Sequence, residues 1–401
     1  MRRSLSSIFV TSLLLFSFPR IGIAASDDSR VLISIGQDAL IKLQQTFRED
    51  LIVIKKTGDV ALVQISEKNL PYLSQMMHKT FGRCGGYVLE SDDIQEVLQG
   101  LEEGPLPQTF VRPKVQHHSL VNQAIGLVQE SSIRSTIDTL STTFRNRLYK
   151  SQHGVRSQEW VGAKWRELAS TMRNSELEFF HHASYPQRSV IFTIKGAKKP
   201  NEVIIVGGHG DSISGWMPGE DVHAPGADDN ASGIASLTEV LRVLSQMGFV
   251  PDRTIKFMSY AAEEVGLRGS RDVAAAFRQR NENVLGVIQL DMTNYTTRKN
   301  EVVIMTDNTN ASQNEFLKEL LQTYVRYVTI QTDMCGYACS DHASWTRQGY
   351  PASNPFEARM NEHNPAIHSK ADTLAMSQNS AEHSIPYVQL VLAYLIEMSQ
   401  Q

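Results

Sequence analysis

The chain has 401 residues, of which 41% are hydrophobic and 20% charged, and its formal net charge is -4. This composition is ordinary for a globular protein, and the length is sufficient for two domains. Because the chain is weakly acidic and has no run of Lys and Arg that would form a basic patch, we expect neither nucleic acid nor a membrane surface as a partner.

The first 24 residues have the three-part layout of a secretory signal peptide. Arg2 and Arg3 supply a short positive region, the apolar run IFVTSLLLFSF follows at residues 8–18, and small residues surround Ala24. This run is well below the ~20 residues that a membrane-spanning helix needs, although an uncleaved anchor is the alternative. We therefore predict that residues 1–24 are removed and that the product is secreted, with the periplasm as an intermediate or alternative destination.

Residues 31–92 predict a small α+β module. Strands are indicated in VLISI, LIVIKK, VALVQIS and GGYVLES, and a helix is indicated at residues 70–80. The following segment, residues 100–113, contains two glycines and three prolines. This composition predicts an exposed linker to the rest of the chain.

Residues 115–401 predict a larger α/β domain. Apolar, β-branched strands are indicated in SVIFTIKG, EVIIVGG, TIKFMSYA, VLGVIQLD and EVVIMTD. Helices are predicted at residues 120–141, 157–172, 232–247, 268–280, 313–325 and 385–399. Apolar strands that alternate with helices are typical of a mostly parallel sheet flanked by helices on both faces.

Polar side chains follow three of these strands at the point where each strand ends. His209 and Asp211 follow the second strand, Glu263 and Glu264 follow the third, and Asp291 follows the fourth. Ligands of parallel sheets bind beyond the carboxyl ends of the strands, so these side chains are expected to meet. The coincidence of three such ends predicts a metal or catalytic site.

Two further segments contribute candidates with weaker local support. Asp228 and Asp229 precede a predicted helix, where they either cap the helix N-terminus or supply a carboxylate that bridges two metal ions. His368 lies in the segment NPAIHS, and no local feature distinguishes it from a surface or core histidine. The sequence pattern alone therefore leaves both roles open.

The residue types of this constellation favour zinc. Histidine and carboxylates without thiolates suit Zn²⁺ as a catalytic ion. Two such ions about 3.5–4 Å apart would share a water molecule and lower its pKa. Of the adjacent pair Glu263 and Glu264, one can bind metal while the other acts as the general base.

The chain has three cysteines, Cys84, Cys335 and Cys339. In an oxidising compartment Cys335 and Cys339 can close a short loop as a disulfide. Zinc binding by these two residues is the alternative, but the chain has no second cysteine pair at zinc-finger spacing.

The motifs GGHGDS, APGADDNASG, YAAEEVGLRGS, QLDMTN, CGYACSDHASW and NPAIH occur in this order along the chain. Together they resemble the secreted bacterial leucyl aminopeptidases of the M28 zinc-peptidase family, from about residue 115 to the end. The resemblance implies a fold of the zinc-peptidase and phosphorylase type. It also implies zinc-dependent hydrolysis that removes leucine or other apolar residues from peptides with free N-termini.

The resemblance further implies a set of five ligands for two zinc ions. Asp229 would bridge the ions, with His209 and Asp291 completing one site and Glu264 and His368 completing the other. The role of His368 is carried by the resemblance alone.

Three other residues acquire roles from the same resemblance. Glu263 would be the general base, and Asp211 would orient His209. Tyr337 would hydrogen-bond the developing oxyanion, unless its ring only packs against the cysteine loop. The bond between Asp229 and Asn230 is the expected place for a cis peptide.

The resemblance places an apolar pocket for the first substrate side chain at Met292, Phe356, Met360 and Ile367, for which core packing is the alternative. An apolar pocket discriminates by only about 1–3 kcal/mol per methylene, so a leucine preference with tolerance of other apolar residues is expected. His363 occupies a pocket-rim position that is often aromatic in the family, which weakens the expectation about preference.

Relatives in the family carry a propeptide that assists folding, inhibits the enzyme and is cut away. By this resemblance residues 25–112 would be such a propeptide of a zymogen, removed by a maturation protease, and residues 113–401 would be the catalytic domain, expected to be a monomer. A permanent N-terminal domain is the alternative.

Rival functions are a glutaminyl cyclase on a related fold, a carboxypeptidase and a binding protein without metal.

Overall fold

A computed structural model of the chain describes residues 29–400, with the exception of residues 82, 84, 92, 104–106 and 216–218. The predicted signal peptide and Cys84 lie outside the described residues. In the described part of the chain, no helix has both the length and the apolar character needed to span a membrane.

The N-terminal module is an antiparallel sheet with helices on both faces. Its strands are β1 (Arg30–Gly36), β2 (Ile52–Thr57), β3 (Val60–Ser66) and β4 (Tyr87–Leu89), in the order β2-β3-β1-β4. Its helices are α1 (Gln37–Phe47), α2 (Leu70–Phe81) and α3 (Ile94–Glu103). Residues of α1 and α2 pack on one face of the sheet and Val97 of α3 on the other. The predicted small α+β module is therefore confirmed.

The segment between the modules is mostly exposed, as expected of a linker, but it is anchored at one point. Helix α3 extends into it as far as Glu103, and Phe110 is only 4% exposed. The ring of Phe110 lies 5.9 Å from that of Phe316 in the main core, and the amide of Gln108 donates to the carbonyl of Gly349. The other described residues at 107–112 are exposed or half-buried, so the predicted exposure holds for most of the segment, which one aromatic side chain anchors to the larger module.

The larger module contains the main sheet. In chain order its strands are β5 (Ser175–Phe180), β6 (Ser189–Ile194), β7 (Lys199–His209), β8 (Arg253–Tyr260), β9 (Asn283–Gln289), β10 (Glu301–Met305), β11 (Thr329–Asp333), β12 (Ala352–Ser353) and β13 (Pro355–Phe356). The main sheet has the order β12-β9-β7-β8-β6-β5. Its first four strands are parallel to one another, β6 is antiparallel to β8, and β5 is antiparallel to β6. The predicted mostly parallel sheet is confirmed, but EVVIM forms β10 in a separate sheet, β11-β10-β13.

Helices cover both faces of the main sheet. They are α4 (His118–Ile125), α5 (Glu130–Thr142), α6 (Gln152–Leu168), α7 (Ala231–Gln246), α8 (Arg268–Gln279), α9 (Ala311–Tyr324), α10 (His342–Arg347) and α11 (Ile385–Ser399). Along β7, Ile204 and Val206 face the core shared with α7 and α11, whereas Val203 and Ile205 face α8 and α10. This alternation buries the strand on both sides, which explains its continuous apolar sequence.

The single helix predicted at residues 120–141 is two helices. Helix α4 ends at Ile125, where Gly126 donates its amide to the carbonyl of Asn122, and α5 begins at Glu130.

Candidate metal centre

The three polar strand ends meet, as the sequence predicted. Strands β9, β7 and β8 are neighbours and parallel, and His209 at the end of β7 is paired with Tyr260 at the end of β8. The chain then turns through Glu263 and Glu264 on one side, and through Asp291 on the other. The parallel register therefore brings these side chains to the same edge of the sheet.

His209 forms the first half of the site with two aspartates. Its Nε2 atom lies 3.1 Å from Oδ1 of Asp229 and 3.2 Å from Oδ1 of Asp291. All three side chains are buried. Oδ2 of Asp291 accepts a 2.5 Å hydrogen bond from the Ser340 hydroxyl, which holds the carboxylate in place.

His368 forms the second half. Its Nε2 atom lies 2.8 Å from Oε2 of Glu264 and 3.2 Å from Oδ2 of Asp229. The two carboxylate oxygens of Asp229 thus face different groups, Oδ1 toward His209 and Oδ2 toward His368. This is the arrangement expected of a bridging carboxylate, and it places His368 where sequence pattern alone could not.

The residues present fit a pair of metal ions. In each half, the potential ligand atoms lie within 4.8 Å of one another, and Asp229 belongs to both halves. Within the described part of the chain, Oδ2 of Asp229 and both carboxylate oxygens of Glu264 are buried and accept no well-directed hydrogen bond. Buried acceptors of this kind are costly unless another partner, such as a cation, satisfies them. Imidazole and carboxylate donors suit Zn²⁺.

The pKa values of the two glutamates are both raised. Burial raises the pKa of Glu263 well above its usual value; the carboxylates of Asp291, Asp341 and Glu264 add to this shift, and the charge of His209 opposes it. Burial, followed by the charge of Asp229, raises the pKa of Glu264 to about 7. Both shifts arise from crowding carboxylates away from water. A bound cation would favour their ionised forms.

Asp211 has contacts beyond the predicted orientation of His209. Its Oδ1 atom lies 3.4 Å from Nδ1 of His209, consistent with the predicted orienting role. Its two carboxylate oxygens also accept the backbone amides of Glu263 and Glu264, at 3.0 and 3.2 Å. One buried carboxylate therefore positions a candidate ligand and the backbone of the adjacent glutamate pair.

The turn that carries Asp229 is held by residues that the motif analysis did not identify. The carboxylate of Asp372 accepts the amides of Asp228 and Asp229, at 3.2 and 3.0 Å. Asp228 in turn accepts the amide of Asn294 at 3.1 Å, and burial raises the pKa of Asp228 to about 6. Asp372 was missed because it lies 143 positions from Asp229 in a loop without a recognisable pattern.

The helix-capping interpretation of the two aspartates was wrong. The N-cap of α7 is Asn230, whose side chain accepts the amide of Gly233 at 3.0 Å and donates to the carbonyl of Leu290 at 2.9 Å. The peptide bond between Asp229 and Asn230 is cis, as the sequence analysis expected. Asn230 thus joins the Asp229 turn to the end of β9.

Arg147 is a second residue that sequence reasoning missed. Its guanidinium is buried and donates hydrogen bonds to five backbone carbonyls, those of Leu140, Gly210, Pro225, Gly226 and Asp229. These carbonyls belong to helix α5, to the loop after β7 and to the Asp229 turn. Because these contacts join segments that are distant in sequence, no local motif predicts them.

The predicted pocket residues lie together. Met292, Phe356 and Ile367 are buried in one apolar cluster with Tyr337, and Met360 packs against its edge. Cys335 and Cys339 form a disulfide, so neither is available to bind zinc. The cluster lies next to the metal centre because Met292 and Ile367 are the sequence neighbours of Asp291 and His368.

The N-terminal module lies across this site. The ring of His78, on α2, is centred 5.1 Å from that of His368, and burial lowers the pKa of His78 to about 4, so this ring is neutral near pH 7. The guanidinium of Arg83 lies 5.0 Å from the centre of the Tyr337 ring and pairs with Asp38 at 2.5 Å. The module therefore contacts both a candidate ligand and the candidate oxyanion tyrosine.

Comparisons with known proteins agree with this geometry. The model of peptidase family M28 matches residues 189–393. A probable aminopeptidase of Saccharomyces cerevisiae is 35% identical over 305 residues, covering 74% of this chain and 80% of the relative. Leucine aminopeptidase 1 of Arthroderma otae is 35% identical over 308 residues, covering 73% and 80%.

Solved structures extend the similarity. The Legionella pneumophila LapA aminopeptidase has a TM-score of 0.82 at 27% identity, covering 93% of this chain and 99% of its own. A glutaminyl cyclase of Bacteroides thetaiotaomicron, at 15% identity and a TM-score of 0.53, covering 67% of this chain and 97% of its own, shares the fold alone. The matched family model and the relatives together establish that this chain belongs to peptidase family M28, within which the relatives named here are aminopeptidases.

Proposed function

We propose that the protein is a secreted two-zinc aminopeptidase that removes leucine and other apolar residues from the free N-termini of peptides. The observation that carries this proposal is the position of Asp229, which directs one carboxylate oxygen to His209 and Asp291 and the other to Glu264 and His368. The aminopeptidase relatives support the same activity.

Each residue of the site has a task in this reaction. Bound zinc would polarise the scissile carbonyl and lower the pKa of the attacking water. Glu263, which is buried beside the ligands without belonging to either group of them, accepts the proton of the water and passes it to the leaving amine. The Tyr337 hydroxyl donates to the developing oxyanion.

The pocket sets the substrate preference. Met292, Phe356, Met360 and Ile367 offer an apolar surface to the first side chain of the peptide, bounded by the disulfide loop. Since apolar contacts discriminate by only about 1–3 kcal/mol per methylene, we expect leucine to be preferred without strict exclusion of other apolar residues.

We further propose that residues 25–112 are an inhibitory propeptide, that a maturation protease removes them, and that the catalytic domain, residues 113–401, then acts as a monomer. The contacts of His78 and Arg83 with the site support inhibition. A retained domain is the alternative, supported by the LapA structure, which covers 93% of this chain although residues 113–401 are only 289 of the 401 residues. N-terminal sequencing of the active exported protein decides between them.

The activity is tested by zinc-dependent release of p-nitroaniline from leucine p-nitroanilide, before and after treatment with a chelator. Loss of release with the chelator and its return with zinc are expected. Cyclisation of N-terminal glutamine instead would indicate a glutaminyl cyclase, and release of C-terminal residues a carboxypeptidase. Absence of any zinc-dependent turnover would leave a binding protein and refute the proposal.

A further inference from the structure

A cavity of about 950 Å³ lies between the two modules, beside the metal centre. Leu70 and Tyr72 of the N-terminal module form part of one wall, and Tyr149, Val265 and Arg268 form part of the opposite wall. The cavity is distinct from the apolar pocket, since none of the pocket residues Met292, Phe356, Met360 and Ile367 is among its lining residues.

The cavity adjoins the reacting centre through Glu264. This candidate ligand also lines the cavity, so the two spaces share a wall. From Glu264 the chain folds into a compact turn, in which Leu267 donates its amide to the carbonyl of Glu263 and Arg268 donates to that of Ala262. Arg268 is therefore held close to the glutamate pair.

Arg268 is a buried cation with unused donors. It is only 6% exposed, and its Nε atom donates to the carbonyl of Val265 at 3.1 Å. Its guanidinium lies 5.5 Å from the centre of the Tyr149 ring. Among the described residues, neither terminal nitrogen, Nη1 or Nη2, has a hydrogen-bond acceptor, and the side chain lines the cavity. The two terminal nitrogens therefore present their donors to the cavity, where a ligand can accept hydrogen bonds from them.

The charge around the cavity indicates which ligand. Lys150 also lines it, with Nζ 5.3 Å from the same Tyr149 ring. Two cations thus flank one aromatic ring, and Glu67 on the opposite wall is engaged by the hydroxyl of Ser29. A carboxylate complements this wall, because its two oxygens match the paired terminal donors of an arginine.

We propose that Arg268 binds a carboxylate of the leaving peptide, so that the enzyme favours short or acidic peptides over neutral ones. The proposal rests on the proposed aminopeptidase function, and the wall that carries it, with Tyr149, Lys150 and Arg268, belongs to the larger module and remains when residues 25–112 are removed. With the first residue in the apolar pocket and its peptide bond at the metal centre, the remaining residues extend past Glu264 into the cavity, at about 3.3–3.6 Å per residue. The carboxylate is either the C-terminus of a short peptide or an acidic side chain.

The experiment compares substrates that differ only in this charge, using the zinc-loaded active protein as it is exported. Leu-Ala-Ala is compared with its C-terminal amide, and Leu-Glu-amide with Leu-Gln-amide. We expect kcat/KM to be about tenfold or more higher for the charged member of at least one pair, as for a hydrogen bond to a charged group. The first pair reports on the C-terminus and the second on a side chain.

Arg268→Met should abolish this preference, and Arg268→Lys should restore part of it because it keeps the charge without the paired donors. Arg280→Met is the matched control, since Arg280 stacks on Phe277 at 4.9 Å on the same helix segment and does not line the cavity. This control should keep the wild-type ratio.

Equal kcat/KM values within both pairs for the wild type would overturn the inference, whether or not the Arg268 variants fold. A preference that survives in a folded Arg268→Met variant would assign the carboxylate to another cation. Failure to cleave any of the four peptides, or leucine p-nitroanilide, in the presence of zinc would instead refute the proposed function.

Discussion

The two modules of this protein handle buried charge in opposite ways. The larger module buries many carboxylates around the metal centre, namely Asp211, Asp228, Asp229, Glu263, Glu264, Asp291, Asp341, Glu357 and Asp372. Among the described residues of the N-terminal module, the buried charged side chains are Arg83 and Glu90. Both lie against the larger module, where Arg83 covers Tyr337 and Glu90 pairs with Arg347 at 2.6 Å.

This difference assigns the candidate reaction site to the larger module and the covering of that site to the N-terminal module. Uncompensated carboxylates in a buried site destabilise the fold and persist where a cation and a reaction require them. The N-terminal module has an ordinary apolar core, and its two buried charged side chains contact the larger module. Variants in the larger module should therefore change turnover or metal content, and variants in the N-terminal module should change access to the site.

The largest effect is expected from Glu263→Gln. The amide keeps the size of the side chain but cannot accept the proton of the attacking water, so turnover should fall by about 10²-fold or more. Both zinc ions should remain, as measured by metal analysis of the purified protein. Loss of zinc would show that the roles of Glu263 and Glu264 are exchanged.

Removal of one histidine should divide the metal centre. His368→Ala leaves Glu264 and Asp229 for the second ion, and His209→Ala leaves Asp291 and Asp229 for the first. Each variant should therefore retain about one zinc ion of two in equilibrium dialysis. Two tightly bound ions in His368→Ala would contradict the assignment of His368 as a ligand. The control is His363→Ala, which removes a ring that contacts Phe356.

Arg147→Met should weaken the scaffold of the centre rather than a ligand. The change removes a donor from five backbone carbonyls, and each carbonyl left unsatisfied should cost about 1–3 kcal/mol of the free energy of unfolding. Chemical denaturation measures the stability. Competition with a chromophoric chelator measures the zinc affinity, which should also fall. An unchanged zinc affinity in the folded variant would confine Arg147 to a structural role.

A smaller effect is expected where the N-terminal module docks. Arg83→Ala removes the contact with the Tyr337 ring and the ion pair with Asp38, so the unprocessed chain should gain about fivefold in activity on leucine p-nitroanilide. The control is Arg30→Ala, which breaks an ion pair with Asp50 within the module. Equal activity of the two variants would argue against inhibition through Arg83.

The smallest effect concerns pH and the N-terminal module alone. Burial would raise the pKa of Asp50, but hydrogen bonds from Ser66 and Asn69 and the charge of Arg30 outweigh it and lower this pKa below 3.8. A lowered pKa stabilises the folded state above the unfolded value, and this stability is lost as the pH falls through the folded value. The difference in urea midpoint between wild type and Asp50→Asn should thus be present at pH 6 and shrink toward pH 3.

The sequence was most informative where function depends on strand ends. His209, Glu264 and Asp291 could be brought together in advance because parallel strands end at one edge of a sheet. It was less informative about edges and connections: the short strands β12 and β13 and the two-residue pairing they offer carry no periodic signal. The anchoring of the linker by Phe110 was missed for a similar reason, since one side chain in a loop has no pattern.

By itself the sequence determined the two-module organisation, the mostly parallel sheet and the strand ends that supply three of the five candidate ligands, because hydrophobic periodicity and strand ends are local properties of the chain. Only the tertiary structure decided that His368 faces Asp229, that Arg147 and Asp372 hold the turn between the halves, and that His78 and Arg83 cover the site. These contacts join residues far apart in the chain, and their partners are chosen by packing rather than by spacing.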